Sequence, residues 1–311
     1  MQFLVLAAAL LFSHAAFPNP SVKIINFGSS LRKIQQTLLK NPNAKSIEVW
    51  DQFAENLIPQ DAKSFIWQKS ISNWEESRQR KIKIWSDDLK TKKSDYFFAF
   101  NKIENAIRKY IPALSKTLGE PIPSRIYIMG VSGAEAIFSF DGTERGNLIL
   151  GVDEILSKNL DPETVAVHEL VHMFRANRID YSSTSSGTQN LLKVSLFEEG
   201  LAINLTEKHL GKIKIVNHPP YRRPFKVTEQ NLKDYVLRIK FDIDKSTDAK
   251  GLREVYSKWF VPDEVRDENY MAYRIGYEIF KKLSAKFSIK ALNTWDKKTI
   301  ESKVSEVLQN W

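Results

Sequence analysis

Five histidines occur in this chain, and two of them, His168 and His172, stand four residues apart in the run His168-Glu169-Leu170-Val171-His172. On a helix that spacing stacks both imidazoles on one face, one turn apart. Two ring nitrogens carried by one rigid helix can converge on a tetrahedral Zn²⁺, which needs nitrogen ligands at about 2.0–2.1 Å. Glu169 then faces the open side of the metal, where it can take a proton from an activated water. The pentapeptide therefore supplies two metal ligands and a general base. A solitary histidine on an apolar helix face is usually a hydrogen-bonded core residue, but this pair with its intervening glutamate points to a metal site.

Such a site needs a helix, and the preceding residues signal one. Asp161 can cap the free N–H groups, Pro162 suits the first helical position, and Glu163 complements the helix dipole. Val165, Val167, Leu170, Val171 and Phe174 give that helix an apolar surface around the histidines. Just before it, Leu148 to Val152 reads as a strand that ends at Asp153.

An open catalytic zinc site takes three protein ligands and a water. A third histidine in the metzincin spacing would require glycine at 175 and histidine at 178, where this chain has Arg175 and Arg178. A glutamate from a second helix is the other common solution. Glu198 and Glu199 both sit inside the apolar run Ser195 to Ala202, where acids are costly unless paired or bound to a cation. Helical periodicity places aliphatic neighbours beside both, so it does not choose between them. With no cysteine in the chain, thiolate ligands are excluded, leaving the imidazole and carboxylate mixture typical of catalytic sites.

Together, His168-Glu169-Leu170-Val171-His172, Glu199-Gly200-Leu201-Ala202 and Tyr273-Arg274-Ile275-Gly276-Tyr277-Glu278-Ile279 resemble a group of bacterial Zn-dependent proteases of gluzincin type, long catalogued as a domain of unknown function. The strand Leu148 to Asp153 also fits that pattern, and Ile47 to Phe53 is a fainter match. The resemblance covers most of the chain after its first residues. It implies a zincin-like metallopeptidase fold, hydrolysis of peptide bonds, one Zn²⁺ per chain, and Glu199 as the third ligand with Glu198 as its neighbour. Tyr270, Tyr273 and Tyr277 form an aromatic stripe at helical spacing, with Gly276 permitting close approach of another backbone. Such a stripe is usually core; a hydroxyl reaching the cleft would donate to a tetrahedral oxyanion, Tyr273 being the first choice and Tyr277 the second.

The rest of the 311 residues must position these groups. A 42 % hydrophobic content, sparse glycine and proline, and no repeat suit an integrated fold large enough for an enzyme. Periodicity predicts helices over about 64–85, 97–118, 227–241, 249–260, 270–287 and 299–308, with Ile66, Ile71, Trp74, Ile82 and Trp85 buried on the first. Strands are expected at 125–130, 136–140 and 148–152, a small central sheet beside the HExxH helix whose edge could hold an extended peptide. The expected class is α+β, predominantly helical. The organisation read from the sequence is a leader at 1–15, a helical N-terminal region at 16–120 and a catalytic region at 121–311.

The apolar run Phe3 to Phe12 followed by Ser13-His14-Ala15-Ala16 reads as a signal peptide cleaved after Ala15; it is too short to span a bilayer. Export without cysteines points to a bacterial periplasm or to secretion, with a retained N-terminal anchor as the lesser alternative. The net charge of +9 comes from 46 basic and 37 acidic side chains, most of which read as solvated faces. A peptide or protein is the expected substrate, with a weak association with the anionic envelope surface; no nucleic-acid module accompanies the charge. The competing reading is a non-catalytic envelope binding protein with a structural or relic zinc site, a structural one being closed by His209 or His218, the spare histidines of the mature chain.

Overall fold

The computed structural model describes residues 22–53, 73–91, 93–119, 124–130, 136–140, 146–175, 188–246, 248–260, 268 and 270–311. The leader expected at 1–15 lies outside these residues, as do Ile66, Ile71 and the side chain of Trp74. The architecture is α+β and predominantly helical.

One sheet organises the first half. Its strands are β1 (Val22–Asn26), β2 (Ser124–Met129), β3 (Ala136–Phe140) and β4 (Gly146–Gly151), in the order β1-β2-β4-β3. The first three in that order run parallel, with Val22 opposite Ser124 and Ser124 opposite Gly146. β3 turns back antiparallel along β4, Phe138 opposite Leu148, and forms one edge. Every residue of β4 is buried, which explains its unbroken apolar run Leu148-Ile149-Leu150: a central parallel strand is covered on both faces and needs no polar alternation.

Sequence reading gave three strands and a purely helical N-terminal region. The structure adds β1, which comes from that region and completes the sheet beside β2. The division at 120 therefore does not separate two cores. One continuous cluster runs from Phe27 through Leu308.

The first helices are α1 (Gly28–Lys40), α2 (Ser46–Phe53), α3 (Trp74–Thr91) and α4 (Lys93–Leu118). Ile82 and Trp85 of α3 are buried as their spacing requires. After β4 come α5 (Val152–Ser157), α6 (Pro162–Arg175), α7 (Thr188–Leu210), α8 (Lys212–Asn217) and α9 (Pro219–Arg222). The remainder is α10 (Glu229–Lys245), α11 (Ala249–Phe260), α12 (Met271–Ser284), α13 (Ile289–Asn293) and α14 (Lys297–Gln309). Helix α6 packs against α4 and α7 and touches β4. Helix α7 is the hub of the second half, in contact with α6, α10, α11, α12 and α14. Among the described residues no helix is long and apolar enough to cross a membrane.

Candidate metal centre

Helix α6 begins as its sequence dictates. The Asp161 carboxylate accepts from the Thr164 backbone N–H at 3.0 Å and from its hydroxyl at 2.8 Å, closing the first turn ahead of the metal motif. Eleven of the fourteen α6 residues are buried, so the helix is held by packing on nearly all sides. His168 is among them; His172 is half-buried one turn further on.

Glu199 reaches the two histidines from α7. His168 Nε2 lies 3.1 Å from Glu199 Oε2 and 3.1 Å from His172 Nε2, and His172 Nε2 is 3.6 Å from the same Glu199 oxygen. Three donors on one face of a tetrahedron with bonds of about 2.0–2.1 Å would be separated by about 3.3–3.4 Å. The observed triangle matches that face. Among the described residues this is the one group of three or more histidine and acidic side chains arranged to hold a metal.

Electrostatics point the same way. Burial alone would lower the His172 pKa, yet the Glu199 carboxylate beside it raises it to about 9. Burial alone would raise that of Glu199, but His172 and His168 hold it well below the usual carboxylate range. A carboxylate this largely enclosed favours a cation beside it, and without a metal a proton on His172 supplies one.

Glu198, one residue earlier, is committed elsewhere. Its carboxylate takes the Arg175 guanidinium, with Nη2 to Oε1 at 2.7 Å and Nε to both oxygens at 3.2 Å. Both side chains are buried, and Arg175 also donates to the carbonyls of Asn293 and Trp295. The arginine that stands where a metzincin would have glycine thus ties α6 to α7 and to the end of α13 and the residues just after it. Gly200 and Gly276 set the other side of α7. A Cβ on Gly200 would lie 2.1 Å from the Gly276 carbonyl oxygen, and one on Gly276 would lie 2.3 Å from the Leu196 carbonyl oxygen. Only glycine permits α7 and α12 to meet backbone to backbone beside Glu199.

His168 and Glu169 line a cavity of about 400 Å³, whose walls include Ala136, Leu160, Val165, His218, Tyr221 and Tyr273. Tyr221 was not singled out by its sequence. Its hydroxyl is 3.2 Å from His168 Nδ1, the ring nitrogen turned away from the triangle. That is the contact that orients a metal-binding imidazole and fixes its tautomer. Of the two tyrosines expected near the site, Tyr273 lines the cavity, with its ring 5.5 Å from that of Tyr221. Burial, with Glu199 nearby, raises its phenol pKa well above the ordinary value, so it is a proton donor at neutral pH. Tyr277 does not line this cavity. Its hydroxyl donates to Glu207 at 2.5 Å and its ring packs on Phe225, which removes it from the oxyanion role.

His209 and His218 do not join the ligand group. His209 packs against Tyr110, ring centroids 5.5 Å apart. His218 lines the cavity with a buried Nδ1 that has no hydrogen-bond partner among the described residues, and burial together with His168 pushes its pKa down to about 4. Tyr256 and Phe260 of α11 line the cavity too, and nothing in their spacing had marked them. No protein-family model, curated protein or solved structure matches the chain.

Proposed function

We propose that the chain is a zinc-dependent metallopeptidase of the gluzincin-like, zincin type that its motifs resemble, acting on a peptide or protein substrate in an exported setting. The observation that carries this reading is the ligand triangle, with edges of 3.1, 3.1 and 3.6 Å, whose His168 lines the same cavity as Glu169.

His168, His172 and Glu199 would hold the ion. When bound, zinc supplies Lewis acidity toward the scissile carbonyl and lowers the pKa of a coordinated water from 15.7 toward roughly 7. Glu169 accepts the proton of the attacking water and returns it to the leaving amine nitrogen. Tyr273 donates a hydrogen bond to the oxygen on which negative charge develops. Tyr221 keeps the His168 ring oriented. Ala136, at the start of the edge strand β3, lines the same cavity, so an extended peptide pairing with that edge would pass the metal.

Metal analysis combined with a peptide-library digest tests the proposal. Wild type is expected to bind one zinc and hydrolyse peptides. Glu169→Gln is expected to keep the zinc and lose about 10²–10⁴-fold in turnover, the range for a general base. Full activity in that variant would remove the assignment, and undiminished zinc in His168→Ala would remove the ligand set.

A further inference from the structure

The cavity beside the metal centre has an aromatic side that the proposed chemistry does not use. At its mouth Tyr256 stacks on Phe260, rings nearly parallel at 7° and 4.7 Å apart. Phe260 meets Tyr273 edge-on at 6.0 Å, Tyr273 lies 5.5 Å from Tyr221, and the Tyr221 hydroxyl reaches His168. An unbroken series of rings therefore leads from the surface to a metal ligand. Leu160 and Val165 also line the cavity, from the segment that opens α6.

Two features of this wall point to a ligand. Tyr256 is 41 % exposed, a large ring left partly in water at the rim of a cleft, whereas Phe260 behind it is 3 % exposed. Aromatic surface presented in this way is what an apolar group covers on binding. Among the described residues, Lys158 and Glu169, one of each sign, are the basic and acidic side chains lining the cavity, with no run of one sign to select a charged side chain. The aromatic wall is then the feature of the cavity that can discriminate between side chains by apolar size.

We infer that the Tyr256–Phe260–Tyr273 wall is the specificity surface of the cleft and that it selects peptides carrying a bulky aromatic side chain next to the scissile bond. The inference rests on the metallopeptidase reading and names its substrate class. Tyr256, outermost and partly exposed, is the specificity-determining residue that can be changed without disturbing the core.

The test uses zinc-loaded Glu169→Gln protein titrated with end-blocked pentapeptides identical except for a central Phe, Ala, Lys or Glu. A pocket that reads apolar size discriminates by about 10–200-fold. The Phe peptide is expected to bind at least about tenfold more tightly than the Ala peptide. Adding Tyr256→Ala should collapse that ratio, and Tyr256→Phe should preserve it. In the wild-type enzyme kcat/KM should follow the same order. Equal binding of Phe and Ala peptides, preference for Lys or Glu, or a ratio unmoved by Tyr256→Ala would overturn the inference; if wild type still hydrolyses these peptides, the metallopeptidase reading survives. Equal turnover by wild type and Glu169→Gln would instead overturn that reading and this inference with it.

Discussion

Glu198 and Glu199 are neighbours in sequence, both reach from α7 toward α6, and they meet opposite fates. Glu198 faces a guanidinium that is itself anchored to two backbone carbonyls, so its charge is met on all sides by protein. Glu199 faces two imidazoles, one of which, His168, lines the cavity. A buried acid with a closed partner set holds helices together. A half-buried acid beside two imidazoles is where a ligand can complete the structure.

The contrast can be broken at its closed end with the largest effect. Arg175→Ala leaves the Glu198 carboxylate buried and unpaired, and should cost about 3–5 kcal/mol in the urea unfolding free energy of the metal-free protein. Glu199→Gln should cost the same metal-free protein about 1 kcal/mol or less, yet abolish the rise in unfolding midpoint that added zinc gives wild type. Equal losses from both would mean that the two glutamates play one structural role.

Gly276→Ala probes the wall between the two regions. The added methyl meets the Leu196 backbone, so α7 must shift; about 1–3 kcal/mol of destabilisation is expected, with weaker zinc binding as Glu199 moves. Tyr221→Phe sharpens the open end, removing one hydrogen bond behind His168. Zinc affinity should fall about 10–100-fold by competition with a chelator, while the metal-free unfolding midpoint moves little.

The smallest effect per step is with pH, and it acts at the open end. His172 in the metal-free protein holds its proton up to about 9. Zinc must displace that proton, so apparent affinity should be highest above pH 9 and fall about tenfold for each unit below it, until Glu199 itself takes up a proton. A flat affinity profile between pH 6 and 9 would show that His172 holds no proton for zinc to displace.

Local features were legible in the sequence, and long-range ones were not. The Asp161-Pro162 start, the four-residue histidine spacing and the need for glycine at 276 all follow from chain geometry within one or two turns, and the structure has each. The partner of Glu198 was hidden because Arg175 entered only as a departure from another motif; its role depends on a helix 23 residues away. Tyr221 sits in a proline-rich, basic stretch that gives no periodicity, and its contact with His168 spans 53 residues. The strand at 22–26 carries an exposed lysine in a run of five and is fixed by pairing with β2 rather than by its own pattern.

That last strand also sets a schedule for folding. β1 cannot pair until β2 exists, about a hundred residues later, and β2 stays open on its other side until β4 follows. Parallel pairing across such a span closes late, because the intervening helices must be brought into place before the strands meet. The strand at 22–26 is therefore made well before it can be secured, leaving an interval in which it is uncovered and open to whatever captures unfolded chains.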